Sequence, residues 1–122
     1  MPLLHISYAP AVLSAEDLRD ALAPLAHTAA AQLGLRDTDV AVEVRPPSEL
    51  TLNQRDVALV FDCSPDPEGR RTKEQLHALA EALLATISEH LRARGLPVDA
   101  GVFARMPGVG TYVAHAATEA SE

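Results

Sequence analysis

Hydrophobic and polar positions recur along this chain in two rounds of nearly the same pattern. Residues 3–8 (Leu-Leu-His-Ile-Ser-Tyr) predict a short strand closed by a turn at Pro10. Ser14-Ala-Glu-Asp17 has the form of a capping box, with a hydroxyl at the N-cap and an acid three residues on that reaches back to the backbone. The helix it opens places Leu18, Leu22, Leu25, Ala29 and Leu33 on one face of a 3.6-residue period, and Gly34 ends it. Pro24 removes one helical hydrogen bond and costs ~3 kcal/mol in an unadapted helix interior, which predicts a kink or break there. Val40, Val42 and Val44 then alternate with Ala41, Glu43 and Arg45, the pattern of a half-buried strand, and Pro46-Pro47 stops it.

A shift of 58 residues superimposes this pattern on itself. Ser14 falls on Thr72, Asp17 on Gln75, Leu18 on Leu76, Leu22 on Ala80, Leu25 on Leu83, Ala29 on Ile87 and Leu33 on Leu91. Val57-Ala-Leu-Val-Phe61 precedes the second helix as a continuous apolar run. After Gly95-Leu-Pro97 the alternation resumes at Val98, Ala100, Val102 and Ala104. The order is βαβ followed by βαβ, a repeat that suggests fusion of two copies of one unit, about 2–50 and 57–107, within a single domain over 1–115. Strand–helix–strand units favour parallel pairing with a right-handed crossover. The expected fold is therefore α/β, a four-stranded mainly parallel or mixed sheet with two helices on one face. The other face lacks a cover, and assembly into an oligomer is the natural remedy. Ala116 to Glu122 is small and polar and is expected to form a flexible tail.

Composition narrows the function. The 122 residues fit one domain. Apolar residues make up 48%, yet the aromatics are only Tyr8, Phe61, Phe103 and Tyr112, so the core is expected to be aliphatic. A net charge of −7 argues against a nucleic-acid partner, because phosphate binding needs surplus cations and single strands want stacking rings. One cysteine, Cys63, allows neither an intrachain disulfide nor a Cys-rich zinc site, and a cytoplasmic protein fits best. No apolar run approaches the ~18 residues of a membrane span, and Met1-Pro2-Leu3-Leu4-His5 lacks the features of a signal peptide. His77, His90 and His115 show no ligand spacing with carboxylates, so no metal site is expected.

Chemistry centres on Pro2. Removal of Met1 before this small residue leaves a secondary amine as the chain terminus. A free α-amino group titrates near ~8, and burial or a neighbouring guanidinium moves it toward the range where a general base works best. Arg70 and Arg71 stand just ahead of the Thr72 cap, where free N–H groups and the helix dipole already favour an anion and a guanidinium can grip a carboxylate with two parallel hydrogen bonds. The same pair also fits a solvated helix start. Cys63 reads as inert packing at a strand end, and His5 carries no assigned role.

With an N-terminal proline heading a doubled βαβ unit, the chain resembles the tautomerase superfamily over nearly its whole length. It looks closest to the fused branch that includes malonate semialdehyde decarboxylase and cis-3-chloroacrylic acid dehalogenase. Met1-Pro2-Leu3-Leu4 matches the family start. Arg36-Asp37, with Pro46-Pro47-Ser48 nine residues later, resembles the decarboxylase stretch that carries a catalytic aspartate, which implies that role for Asp37. Glu68-Gly69-Arg70 resembles the dehalogenase segment whose arginine binds the substrate carboxylate, and Ala26-His27 is similar to its Ala-His pair, which implies substrate contact for Arg70 and His27. Met106-Pro107 resembles its C-terminal region. Read from the residues alone, Asp37 is equally a loop acid and His27 an ordinary helix-surface or interface histidine.

The sequence departs from these relatives as well. Ser64-Pro65-Asp66-Pro67 stands where the decarboxylase has an Arg-Pro-Arg run, and Val102 and Val113 stand where the dehalogenase needs a tyrosine and a glutamate for water. Ala11, Val12 and Ala41 occupy places where short-chain tautomerases carry arginines.

The resemblance implies a cofactor-independent tautomerase or isomerase. Pro2 transfers a proton on a small anionic carbonyl compound, Arg70 with Arg71 holds its carboxylate, and the assembly is a homotrimer with its sheets facing inward. A decarboxylase or hydratase using protonated Pro2 with Asp37 is the alternative. A non-catalytic trimeric binding protein on the same scaffold is a reading of another class.

Overall fold

The computed structural model describes residues 2–45, 55–63, 72–96, 99–106 and 109–115. Strand β1 (Leu3–Tyr8) is followed by a short helix α1 (Ala15–Leu18), a 3₁₀ turn over Arg19–Ala21, helix α2 (Leu22–Leu33), a second 3₁₀ turn over Asp37–Asp39 and strand β2 (Ala41–Val44). The second round runs β3 (Val57–Asp62), α3 (Lys73–Ala93) and β4 (Ala100–Met106), and a last strand β5 (Val109–His115) turns back beside β4. The sheet order is β2-β1-β3-β4-β5. Within each round the strands pair in parallel, β1 with β2 (Leu3↔Ala41) and β3 with β4 (Val57↔Ala100). The rounds meet antiparallel at β1 and β3, with Leu3 opposite Asp62 and Tyr8 opposite Val57.

The expected α/β architecture with its doubled units and mixed sheet is present, and the sheet carries one strand more than the four expected. Gly110, Tyr112 and Ala114 alternate with Val109, Thr111, Val113 and His115 in a run without charge or proline, which pairs residue for residue with β4. The first helix breaks as Pro24 required, but the break lies ahead of the proline. Pro24 is the third residue of α2, where a backbone N–H has no intrahelical acceptor and its absence costs nothing. The residues that the proline ring would crowd are those of the 3₁₀ turn.

Both caps form. The Asp17 carboxylate accepts the Ser14 N–H at 2.9 Å, Gln75 Oε1 accepts the Thr72 N–H at 2.9 Å, and Thr72 Oγ1 accepts the Gln75 N–H at 3.2 Å. Gly34 closes α2 in the left-handed conformation, φ 67°. Asp17 also ties α1 to the far end of α3, accepting from Arg94 Nη2 at 3.2 Å, while its backbone carbonyl accepts from His90 Nε2 at 2.8 Å.

The core lies between the helices and one face of the sheet, and Phe61 is the only aromatic among its fully buried side chains. Leu18, Leu25 and Ala29 of the first stripe are buried with Leu76, Ala80, Leu83, Ile87 and Leu91 of the second, against Leu4, Ile6, Val57, Leu59, Phe61, Ala100, Val102 and Ala104; Leu22 and Leu33 pack at its margin. The repeat is visible where the helices touch. Thr28 Oγ1 of α2 lies 2.8 Å from Thr86 Oγ1 of α3, two residues 58 apart, so equivalent side chains of the two units meet each other. The sheet's other face presents Leu3, His5, Ser7, Val60, Phe103 and Tyr112, and among the described residues no helix covers it.

Candidate active site

Pro2 is half-buried at the head of β1, and its carbonyl accepts the Ala41 N–H at 3.0 Å. The first ladder bond of the β1–β2 pair thus anchors the proline's own backbone. On its other side the antiparallel register sets Asp62 against Leu3, and Asp62 is in turn the partner of Arg105 on β4. One end of the sheet therefore gathers the start of β1 with the ends of β3 and β4.

Asp37 sits in the turn that leads directly into Ala41. His27, on α2, bonds it: Nδ1 lies 3.2 Å from Oδ1 and 3.1 Å from Oδ2, with both side chains more than half exposed. The fold thus joins two residues that the sequence presents ten positions apart. Arg36 holds the same turn by bonding Asp39 through its backbone N–H (3.1 Å) and its guanidinium (3.2 Å), which keeps the Asp39 carboxyl below its ordinary range. Arg70 and Arg71 lie outside the described residues, as do Pro46-Pro47-Ser48, Glu68-Gly69 and Pro107.

Val102 and Val113 pair directly across β4 and β5, with Val102 fully buried and Val113 against the core. Two apolar side chains there offer nothing to position water. Among the described residues no group of three or more His, Cys, Asp or Glu is arranged to hold a metal. No helix among them is long and apolar enough to cross a membrane.

The open face of the sheet holds a polar line that reading the chain did not anticipate. His5 Nδ1 lies 2.8 Å from Glu43 Oε1, and His5 Nε2 lies 3.6 Å from Asp62 Oδ2 and 3.4 Å from Arg45 Nη2. Arg45 Nε donates to Glu43 Oε1 at 2.9 Å, and Arg105 donates to Asp62 through both Nε and Nη2. The hydrogen bonds from Arg105 hold the Asp62 carboxyl below its ordinary range against a smaller upward push from burial, and the guanidinium is raised in return. Glu43 is lowered first by Arg45 and then by His5. In the sequence His5, Glu43, Asp62 and Arg105 are outward-facing members of four separate strands, and Arg45 directly follows the second of them. The alternation that marks them as outward says nothing of which strand lies beside which.

No protein-family model and no curated protein matches the chain. Solved structures do. A member of the cis-3-chloroacrylic acid dehalogenase family superimposes with a TM-score of 0.63 at 15% identity, covering 85% of this chain and 73% of the other. A 5-carboxymethyl-2-hydroxymuconate isomerase from Deinococcus radiodurans R1 gives 0.60 at 18% identity, covering 86% and 80%. A fused 4-OT described as an asymmetric trimer gives 0.57 at 16% identity, covering 74% and 75%. Two βαβ rounds joined antiparallel at their first strands, with the helices on one side, are thus a fold that this chain shares with these structures.

Proposed function

We propose that this chain is a cofactor-independent tautomerase or isomerase whose base is the amine of Pro2, freed by removal of Met1. The substrate class is a small carboxylate-bearing 2-oxo or enol compound. Neutral Pro2 removes an acidic proton next to the carbonyl and returns it to another position, so a single base suffices. One observation carries the reading: Pro2 stands half-buried at the head of the first strand of a doubled βαβ fold, its carbonyl fixed by Ala41. The isomerase and dehalogenase-family neighbours support it by fold. The trimeric neighbour and the open sheet face support a homotrimer, and the single cysteine a cytoplasmic setting. Arg70 and Arg71, which precede α3 in the sequence, are the proposed carboxylate ligands.

Intact mass and ketonisation of phenylenolpyruvate test this together. The mature chain is expected to lack Met1, and Pro2→Ala is expected to lose ~10²-fold or more of kcat/KM, the scale of a missing general base. A retained methionine, or a Pro2→Ala variant as active as wild type, sinks the proposal.

The bond between His27 and Asp37 favours a second reading. There protonated Pro2 polarises a β-carbonyl, Asp37 held by His27 orients the substrate or water, and a carboxylate leaves as carbon dioxide. Activity on malonate semialdehyde that falls as pH rises and Pro2 loses its proton is the signature of this reading; the tautomerase shows the opposite limb.

A further inference from the structure

We propose that the outer edge of β5 and the flank of α3 beside it form a twofold contact with a second copy of this chain. In it β5 pairs antiparallel with its counterpart, and Glu89 meets Arg92 of the partner subunit on each side of the axis. The contact lies at the margin of the sheet and uses none of the open face, so it is separate from the proposed trimer and from the Pro2 chemistry.

The edge comes first. β5 ends the sheet order, and among the described residues no strand pairs with its outer side. Half of its backbone N–H and C=O groups therefore point away from β4. Edge strands are ordinarily blunted by charge, proline or brevity. β5 is seven residues long, and Val-Gly-Thr-Tyr-Val-Ala-His contains no Asp, Glu, Lys, Arg or Pro. It is also held to the helix: His77 Nδ1 lies 2.9 Å from Thr111 Oγ1, and His77 Nε2 lies 2.9 Å from Glu81 Oε1. A long, ordered and uncharged edge is a template for another strand, and a second copy brings an identical one.

The helix decides the occupant. A groove of about 670 Å³ runs between α3 and β5, with Leu84, Ala85, Val113 and Ala114 as its apolar walls and the exposed Glu89 and Arg92 beside them. Glu81 is taken by His77, whereas the side chains of Glu89 and Arg92 meet no charged or hydrogen-bonding partner among the described residues. The two stand about 4.5 Å apart along the helix axis. A twofold axis between them sets Glu89 opposite Arg92 of the partner subunit and Arg92 opposite Glu89 of the partner subunit, so one pair of residues makes two ion pairs. The same axis, perpendicular to the sheet, makes the joined β5 strands antiparallel and keeps both helices on one side. Distances agree. α3 packs on both β4 and β5, so its axis stands about half a strand spacing inside β5. With paired strands about 4.8 Å apart, the two helices lie about 10 Å from each other, the distance at which helices pack. An unrelated peptide strand fits the edge alone; a second copy also brings an acid and a base in reciprocal places.

Sedimentation velocity of the full chain between about 1 and about 100 µM tests the contact, because a twofold gives an even number of copies and the trimer by itself gives three. Wild type is expected as a dimer, or as a hexamer where the trimer also forms. Glu89→Arg and Arg92→Glu each set like charges face to face twice, and each is expected to raise the dissociation constant of the twofold contact roughly tenfold or more. Glu89→Arg/Arg92→Glu restores opposite charges and is expected to return to within about threefold of wild type. Ala85→Arg, which fills the groove, is expected to abolish the contact, with circular dichroism confirming that every variant is folded. Wild type found only as monomer or trimer across that range overturns the inference, as does a double reversal that fails to recover association or an Ala85→Arg chain that associates like wild type. The Pro2 reading stands or falls apart from this. A chain without tautomerase activity that forms the dimer supports the contact, and an active enzyme that sediments only as a trimer overturns it.

Discussion

The contact between Thr28 and Thr86 yields an unequal pair of mutational costs. Thr86 Oγ1 donates to the Ala82 carbonyl at 2.9 Å, which uses its only proton. The 2.8 Å contact with Thr28 must therefore run from the Thr28 hydroxyl to the Thr86 oxygen. In Thr28→Val the remaining hydroxyl keeps its own acceptor, and about 1 kcal/mol of stability is lost, the net worth of one hydrogen bond. In Thr86→Val the half-buried Thr28 hydroxyl is left with a proton and no acceptor, and the cost rises to about 2 kcal/mol. In the double variant neither hydroxyl is stranded, valine fills nearly the same volume with similar helix propensity, and the cost falls back to about 1 kcal/mol or less. The singles thus exceed the double by about 2 kcal/mol, a coupling well above the ~0.5 kcal/mol within which independent sites add. Urea unfolding followed by far-ultraviolet circular dichroism measures this cycle, at one fixed protein concentration because self-association shifts apparent stability. Additive costs, or a Thr28→Val variant weaker than Thr86→Val, refute the assigned direction of the bond.

Further outcomes follow from the caps and the charges. Asp17, Asp39, Glu43 and Asp62 all have carboxyl pKa values lowered in the folded chain. Their contribution to stability is whole above the unfolded values near ~4 and is lost as pH falls through the depressed folded ones. The urea midpoint is expected to fall between pH 5 and pH 2 and to fall less steeply in Asp62→Asn; an identical slope counts against the Arg105 pairing as its source. Gly34 has φ 67° with nothing within 4 Å of a built Cβ, so Gly34→Ala is expected to cost about 1–2 kcal/mol from backbone conformation alone, and Gly34→Asn less, as read by thermal melting. A neutral Gly34→Ala means that the helix end has rearranged.

Periodicity and capping chemistry determined much of this protein before any contact was known. The 3.6-residue stripes, the Ser14 and Thr72 caps, the Gly34 stop and the alternating valines are local signals, and a local signal survives without its partners. The repeat by 58 residues carried the logic further, to two βαβ units with their helices on one side, and the Thr28–Thr86 contact is that repeat seen in space. Three matters belonged to tertiary structure. The break in the first helix moved ahead of Pro24, because a proline settles where its missing N–H has no acceptor to lose. The fifth strand depended on β4 offering it an edge, since Val109–His115 has no clean alternation of apolar and polar residues to mark a strand until something pairs with it. The polar line from Arg45 through His5 to Arg105 depended on strand order and register. Alternation tells which residues face outward, but only the ladder tells which of them are neighbours, and the joining of Asp62 and Arg105 beside Leu3 is a fact of register alone.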